Sequence, residues 1–209
     1  MSKKLKSLGK LFDRRQKVFG VHVFGTSEVK DYKFDHAANV LRDYLDSDGD
    51  GKADSKKLVK SLKREKAVLT VFSDDDQLEN FLSKHERKFE KVNANFQDLL
   101  DDEIVTAVDK SNKFDASLEE VFHLISDYGY SEIYPKQFGK KKDSVIGGLM
   151  NDARGGYFKK VPNNYPKEAY FTYDDKSCDY ECQITEYFYW GMTSILGAQQ
   201  SPGRLEQIQ

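Results

Sequence analysis

The chain reads as an α+β protein, a small sheet flanked by helices, and three observations predict this. Val18 to Thr26 and Ala67 to Phe72 are β-branched and aromatic runs bounded by turn formers or charges, the signature of strands. Between them, His36 to Leu45 places Ala37, Val40, Leu41, Tyr44 and Leu45 at helical spacing. Further on, Asp175 to Leu196 is a long amphipathic run stopped by Gly197 and Pro202.

The remaining elements follow in order. Ser55 to Lys66 reads as a helix with Leu58, Val59 and Leu62 inward, separated from the preceding one by the acidic loop Asp46 to Asp54. A third helix starts at Asp74 to Asp76, where acidic side chains suit the positive helix terminus. Phe96 to Leu100 and Glu103 to Val108 read as strands or strand plus turn, and Lys110 to Asp115 as a polar connection. Ser117 opens the next helix and Gly129 stands where a left-handed cap would close it. From Tyr130 to Tyr173 the chain is rich in Gly, Pro and Tyr, with one short helix at Ser144 to Ala153.

At 209 residues the chain is long enough for a sizeable core, and a single α+β domain over residues 18–200 is expected, with a polar tail at 201–209. Residues 1–17 carry seven Lys or Arg against the single acid Asp13, with Leu5, Leu8, Leu11 and Phe12 at roughly helical spacing. They read as a solvated basic arm, with a membrane-surface helix or a targeting peptide as alternatives. A net charge of -2 with 33% charged residues gives a mixed surface and no specific nucleic-acid signal. No run reaches the roughly 18 to 20 apolar residues of a membrane span, and no apolar signal-peptide core follows the start, so a soluble chain is expected. Neither compartment nor oligomeric state is specified. Two cysteines, Cys178 and Cys182, are too few for a disulfide framework.

Two clusters carry chemistry. Asp46-Ser47-Asp48-Gly49-Asp50-Gly51-Lys52-Ala53-Asp54 puts carboxylates at loop positions 1, 3, 5 and 9, with glycine at the sharp turn, between two helices. Hard calcium ions require such oxygens. The loop resembles an EF-hand, which implies Ca2+ held by Asp46, Asp48, Asp50, Asp54 and the Lys52 carbonyl. At position 12 Lys57 replaces the bidentate glutamate, so a local brace rather than a sensor is expected.

The second cluster is Glu119-Glu120-Val121-Phe122-His123, in which Glu119 and His123, four apart, share a helix face and can hold one ion. The run resembles the His-Glu-x-x-His motif of zincin metallopeptidases, with the first histidine replaced by glutamate. Ile184 to Trp190 is similar to the third-ligand helix of gluzincins, including lethal-factor-like ones. The resemblance implies a two-helix metal site: Glu119, His123 and Glu186 on Zn2+, with Glu120 as the base that activates water. It further implies an edge strand, here Glu103 to Val108, beside the catalytic helix. An oxygen-rich set also admits Mn2+ or Fe2+.

Structural readings stand beside this one. Ser117 with Glu120 matches a capping box, Glu119 suits the helix dipole, and His123 fits a hydrogen-bonded core position. A di-iron bundle would need a second Glu-x-x-His, which the chain lacks. Cys178 and Cys182 precede Glu186 at four-residue spacing and offer thiolates for zinc, a redox pair or buried free thiols; a disulfide inside a regular helix would be strained, though distortion of the first turn allows one. Arg154, beside Gly155 and Gly156, offers a planar fork to a substrate carboxylate or phosphate. Tyr165, Tyr170 and Tyr173 are candidates to stabilise an oxyanion, Tyr173 foremost. The expected function is a metal-dependent hydrolase acting on a peptide or small molecule. The alternative is a non-catalytic calcium-binding or protein-interaction module.

Overall fold

The computed structural model describes residues 3–109 and 113–200. The expected polar tail at 201–209, and residues 110–112 of the polar connection, lie outside the described residues. The fold is α+β, as expected, and the chain divides into two compact units, Met1–Tyr128 and Gly129–Gln209.

The first unit holds helices α1 (Lys3–Gly9), α2 (Asp31–Leu45), α3 (Lys56–Arg64), α4 (Asp75–Val92) and α5 (Ser117–Ile125). Its strands are β1 (Arg14–Val18), β2 (Val21–Gly25), β3 (Ala67–Phe72) and β4 (Asn95–Leu100), in spatial order 1-2-3-4. β1 pairs antiparallel with β2, whereas β2, β3 and β4 run parallel. The single strand expected at Val18 to Thr26 is the second arm of a hairpin. Phe19 and Gly20 both take positive φ, 47° and 97°, the two-residue turn whose twist suits the flanking strands.

β3 is buried along its whole length, so both sheet faces must be covered. On one face α1 and α4 contribute to a cluster of Leu5, Leu8, Phe12, Phe24, Val68, Phe72, Val92 and Leu100, with Phe81, Phe89 and Phe96 packed against it. Phe12 stacks on Phe24 with ring centroids 5.3 Å apart. The basic arm expected at residues 1–17 is therefore corrected: its apolar side chains belong to the core, and Arg14 to Val18 form an edge strand. α3 and α5 pack on β3, and α5 also on β4 and α2.

Two expectations fail on either side of α5. Glu103 to Val108 is no strand, because the chain turns at Leu100, with the Ile104 amide donating to the Leu100 carbonyl at 3.2 Å. The strand beside α5 is β4 instead. Gly129 is no left-handed cap either, since it lies inside a π-helical turn, Ser126–Tyr130.

Beyond β4, acidic side chains clasp the start of α2. Asp101 accepts from the Lys30 amide at 2.9 Å and lies 3.3 Å from the buried Lys33 ammonium. Asp109 accepts from the Thr106 hydroxyl and amide, each at 2.7 Å, and from the Tyr32 hydroxyl at 2.7 Å.

The second unit holds α6 (Ser131–Ile133), α7 (Pro135–Phe138), α8 (Val145–Ala153) and α9 (Tyr180–Ile195). Ser144 caps α8, accepting from the Gly147 amide, and Asp179 caps α9, accepting from the Cys182 amide. α8 packs on α7 and α9. Among the described residues no helix is long and apolar enough to cross a membrane.

The Thr106 hydrogen bonds, followed by that from Tyr32, hold the Asp109 carboxyl down to about 2. A depressed folded-state value stabilises the fold above the unfolded value, roughly pH 4, and that stabilisation is lost as pH falls through about 2. Urea denaturation of wild type and Asp109→Asn is expected to show a stability gap at pH 5 that closes towards pH 2.

Candidate functional site

The start of α5 is set by Asp115. Its carboxylate accepts from the Ser117 amide at 3.2 Å, the Ser117 hydroxyl at 2.6 Å and the Val105 amide at 3.2 Å, and lies 2.7 Å from His36 Nε2. The N-cap position is Ala116, without a side-chain cap, and Ser117 is the first helical residue. The capping box is thereby corrected, and Glu120 has a different role. Its Oε2 accepts from Gln97 Nε2 at 2.5 Å and stands 3.6 Å from His123 Nδ1.

Strand alternation explains the first of these contacts. Phe96 faces the α4 side, so Gln97 faces the opposite one, where α5 lies. Glu119 and His123 each offer a ligand atom within 4.8 Å of the other, as their four-residue spacing predicts. His123 is buried at 6% exposure, and the Tyr44 ring, 6.1 Å from that of Phe122, packs α2 against the same helix.

Gln97 is a residue that the sequence reading missed. The available signal was a polar pair, Gln97 and Asp98, inside an otherwise apolar strand. Asp98 accepts from Thr70 Oγ1 at 2.7 Å. Burial raises its carboxyl above the ordinary range, the Thr70 bond opposes this, and the charge of Glu120 adds to it.

Glu186 lies on α9 in the second unit and is 9% exposed. Glu119 and His123 of α5 offer a carboxylate and an imidazole of the kinds that ligate metals, and Glu186 of α9 offers a further carboxylate.

Of the readings open for the cysteines, the disulfide is the one found: Cys178 and Cys182 are bonded to each other, which corrects the free-thiol and zinc-thiolate readings. α9 begins at Tyr180, so Cys178 sits in the preceding turn, and the two Cα atoms approach to 5.4 Å. With both sulfurs bonded to each other, they supply no thiolate to an ion.

Arg154 is fully buried rather than presented to a substrate. Its guanidinium donates to Gln183 Oε1 and, at 2.9 Å, to Asn151 Oδ1, and lies over the rings of Phe158 and Tyr180 at 5.6 and 5.5 Å. Among the described residues no carboxylate pairs with it; burial pulls its pKa below the usual arginine value, opposed by the neighbouring tyrosines. Gln183 in turn donates to the Cys178 carbonyl at 3.1 Å. Arg154 therefore ties the long connection to α8 and α9.

Among the tyrosines, Tyr165 gives its hydroxyl to the Tyr173 carbonyl at 3.1 Å and accepts from the Tyr173 amide at 3.3 Å. Tyr170 is 81% exposed, and Tyr173 is half-buried.

In the acidic loop, Asp46, Asp48 and Asp50 bring ligand atoms within 4.8 Å of one another. The buried Asp46 accepts from the Asp50 and Gly51 amides at 3.1 and 2.9 Å, and Gly51 takes φ +81°, which suits glycine at the sharp turn. Asp54 turns to Ser47, whose hydroxyl, then amide, lower its carboxyl below the ordinary value. The Lys52 ammonium sits 2.8 Å from Asp50.

Compared with protein-family models, curated proteins and solved structures, the chain matches none.

Arg154→Ala leaves the Gln183 and Asn151 acceptors and two ring faces without their cation. Chemical denaturation is expected to show a loss of about 3 kcal/mol. Arg154→Lys, which lacks the planar fork, is expected to recover less than half of it.

Proposed function

We propose that the chain is a metal-dependent hydrolase acting on a peptide or a small molecule, with Glu119, His123 and Glu186 holding Zn2+, Mn2+ or Fe2+. The observation that carries this reading is the geometry of α5. Glu119 and His123 place ligand atoms within 4.8 Å on one face, while Glu120 is released from capping and oriented by Gln97 beside His123.

When bound, such an ion supplies Lewis acidity that polarises water and a substrate carbonyl. Glu120 is the group that takes the proton, and its bond from Gln97 fixes which oxygen faces His123. That proximity also orients the imidazole, as carboxylates beside ligating histidines commonly do. Glu186 completes the set from α9, and Tyr173 is assigned to the developing oxyanion. Two carboxylates with one imidazole select zinc less strongly than two imidazoles would, which is why manganese and iron stand in the proposal.

Elemental analysis of protein purified without chelator tests the site. Wild type is expected to carry about one transition-metal ion per chain, and His123→Ala and Glu186→Gln to lose it. Glu120→Gln is expected to keep the ion and to lower hydrolysis by roughly 100-fold or more. Wild type without such an ion would remove the reading.

A second reading, favoured by the convergence of Asp46, Asp48 and Asp50, is a non-catalytic module braced by Ca2+ at that loop. Binding there must displace the Lys52 ammonium from Asp50, and Lys57 adds no oxygen, so weak affinity follows. At a Kd of roughly 0.1 mM, 1 mM Ca2+ adds about 1.4 kcal/mol. A melting temperature raised by about 3 °C is expected, with no rise in Asp46→Ala. An unchanged wild-type melting temperature would remove the brace.

A further inference from the structure

The seven cations of residues 1–17 remain to be explained. Four of them converge on one groove of about 440 Å³ between α1 and the β1–β2 hairpin, lined by Lys6, Lys10, Arg15, Lys17, His22 and Phe24 among others. Its lining includes no aspartate or glutamate.

The convergence follows from the local structure on both sides of the groove. Lys6 lies in the last turn of α1 and Lys10 in the turn directly after it, and both line the groove. Arg15 and Lys17 are two apart on β1, and they stand opposite Phe24 and His22 of β2, so all four side chains project from one face of the hairpin. Gly9 lets the helix ride directly on this floor, since a Cβ there would lie 2.9 Å from Phe24 Cζ.

None of the four cations forms an ion pair with a described residue, whereas neighbouring Arg14 pairs with Asp31 at 2.5 Å. Their mutual repulsion is uncompensated in a chain whose net charge is -2. His22 reports the same field. Burial, then the charge of Lys17, hold its imidazole below the ordinary value.

Protection of an edge strand against sheet-to-sheet pairing accounts for Arg15 and Lys17. It accounts neither for Lys6 on α1 and Lys10 in the turn after it nor for the concavity they share with the strand.

We infer that this groove binds a small ligand carrying two or more phosphate groups. Its volume falls in the range of small-molecule sites, and an arginine fork with three ammonium groups matches the oxygens of adjacent phosphates. Phe24 is 2% exposed, which leaves no stacking platform for successive bases and disfavours single-stranded nucleic acid. A bilayer surface is disfavoured too, because Leu5 and Leu8 are spent in the core and α1 keeps no apolar face for lipid.

The test is calorimetric titration of the full chain with pyrophosphate and with ATP, at low salt and in chelator so that no divalent ion bridges. Lys10→Glu/Arg15→Glu is compared with Lys84→Glu/Lys88→Glu, an equal charge change at exposed positions on α4. Melting temperatures confirm that both variants fold. Pyrophosphate is expected to bind wild type and to lose at least about tenfold in the groove variant, but less than about twofold in the control. ATP binding no tighter than pyrophosphate identifies the polyphosphate itself as the ligand feature. Tighter ATP binding, lost in the same variant, identifies a nucleotide. Absence of binding by both probes at millimolar concentration would overturn the inference. So would equal weakening in the two variants, or displacement of the probe by a tighter-binding single-stranded oligonucleotide.

Discussion

The first unit depends on the complete burial of β3. A strand buried on both faces cannot leave either face of its sheet to water, so helices must cover both, and parallel pairing with β2 and β4 follows from the crossovers that bring those helices into place. The alternation of β4 then has a consequence on the other face. Phe96 goes to the aromatic core under α4, and its neighbour Gln97 must face α5, where it meets Glu120. A one-residue slip of β4 would put an amide in the core and a phenyl ring beside Glu120. The register that satisfies the core is thus the register that orients the carboxylate.

Local patterns were legible in the sequence, and tertiary ones were not. The spacing of Glu119 and His123 is a property of one helix and gave their shared face directly. Ala67 to Phe72 was equally plain, because six consecutive apolar or β-branched residues fit only a buried element. Arg14 to Val18 was not, since Arg-Arg-Gln-Lys has no apolar alternation and its strand character comes from pairing with β2. Ser117 illustrates the limit of a motif. Its capping-box spacing to Glu120 is correct, yet Asp115 takes the Ser117 amide and hydroxyl, and the helix starts at Ser117 with Ala116 at the cap, one residue earlier than the motif implies.

The second unit solves a different problem, that of holding a long, irregular connection without strands to anchor it. Arg154 does so with directional bonds and ring faces in place of a counter-ion, and Gln183 passes that constraint to the turn before α9. The disulfide pins the same turn. A ring this small restricts the unfolded chain by only about 2 kcal/mol, less than a long loop would give, so its main effect is local, fixing Cys178 against the first turn of α9. The spacing of the cysteines left this bond as one option among several, because a bond four residues apart becomes feasible only once the helix begins after the first of them.

Within the first unit, the sheet also separates two electrostatic environments. Phe24 stands on the α1 side and fixes the facing of Arg15 and Lys17, while Gln97 and Glu120 lie on the other side. The sheet thus stands between the four cations and Glu120 of α5, so the two clusters do not neutralise each other by direct pairing.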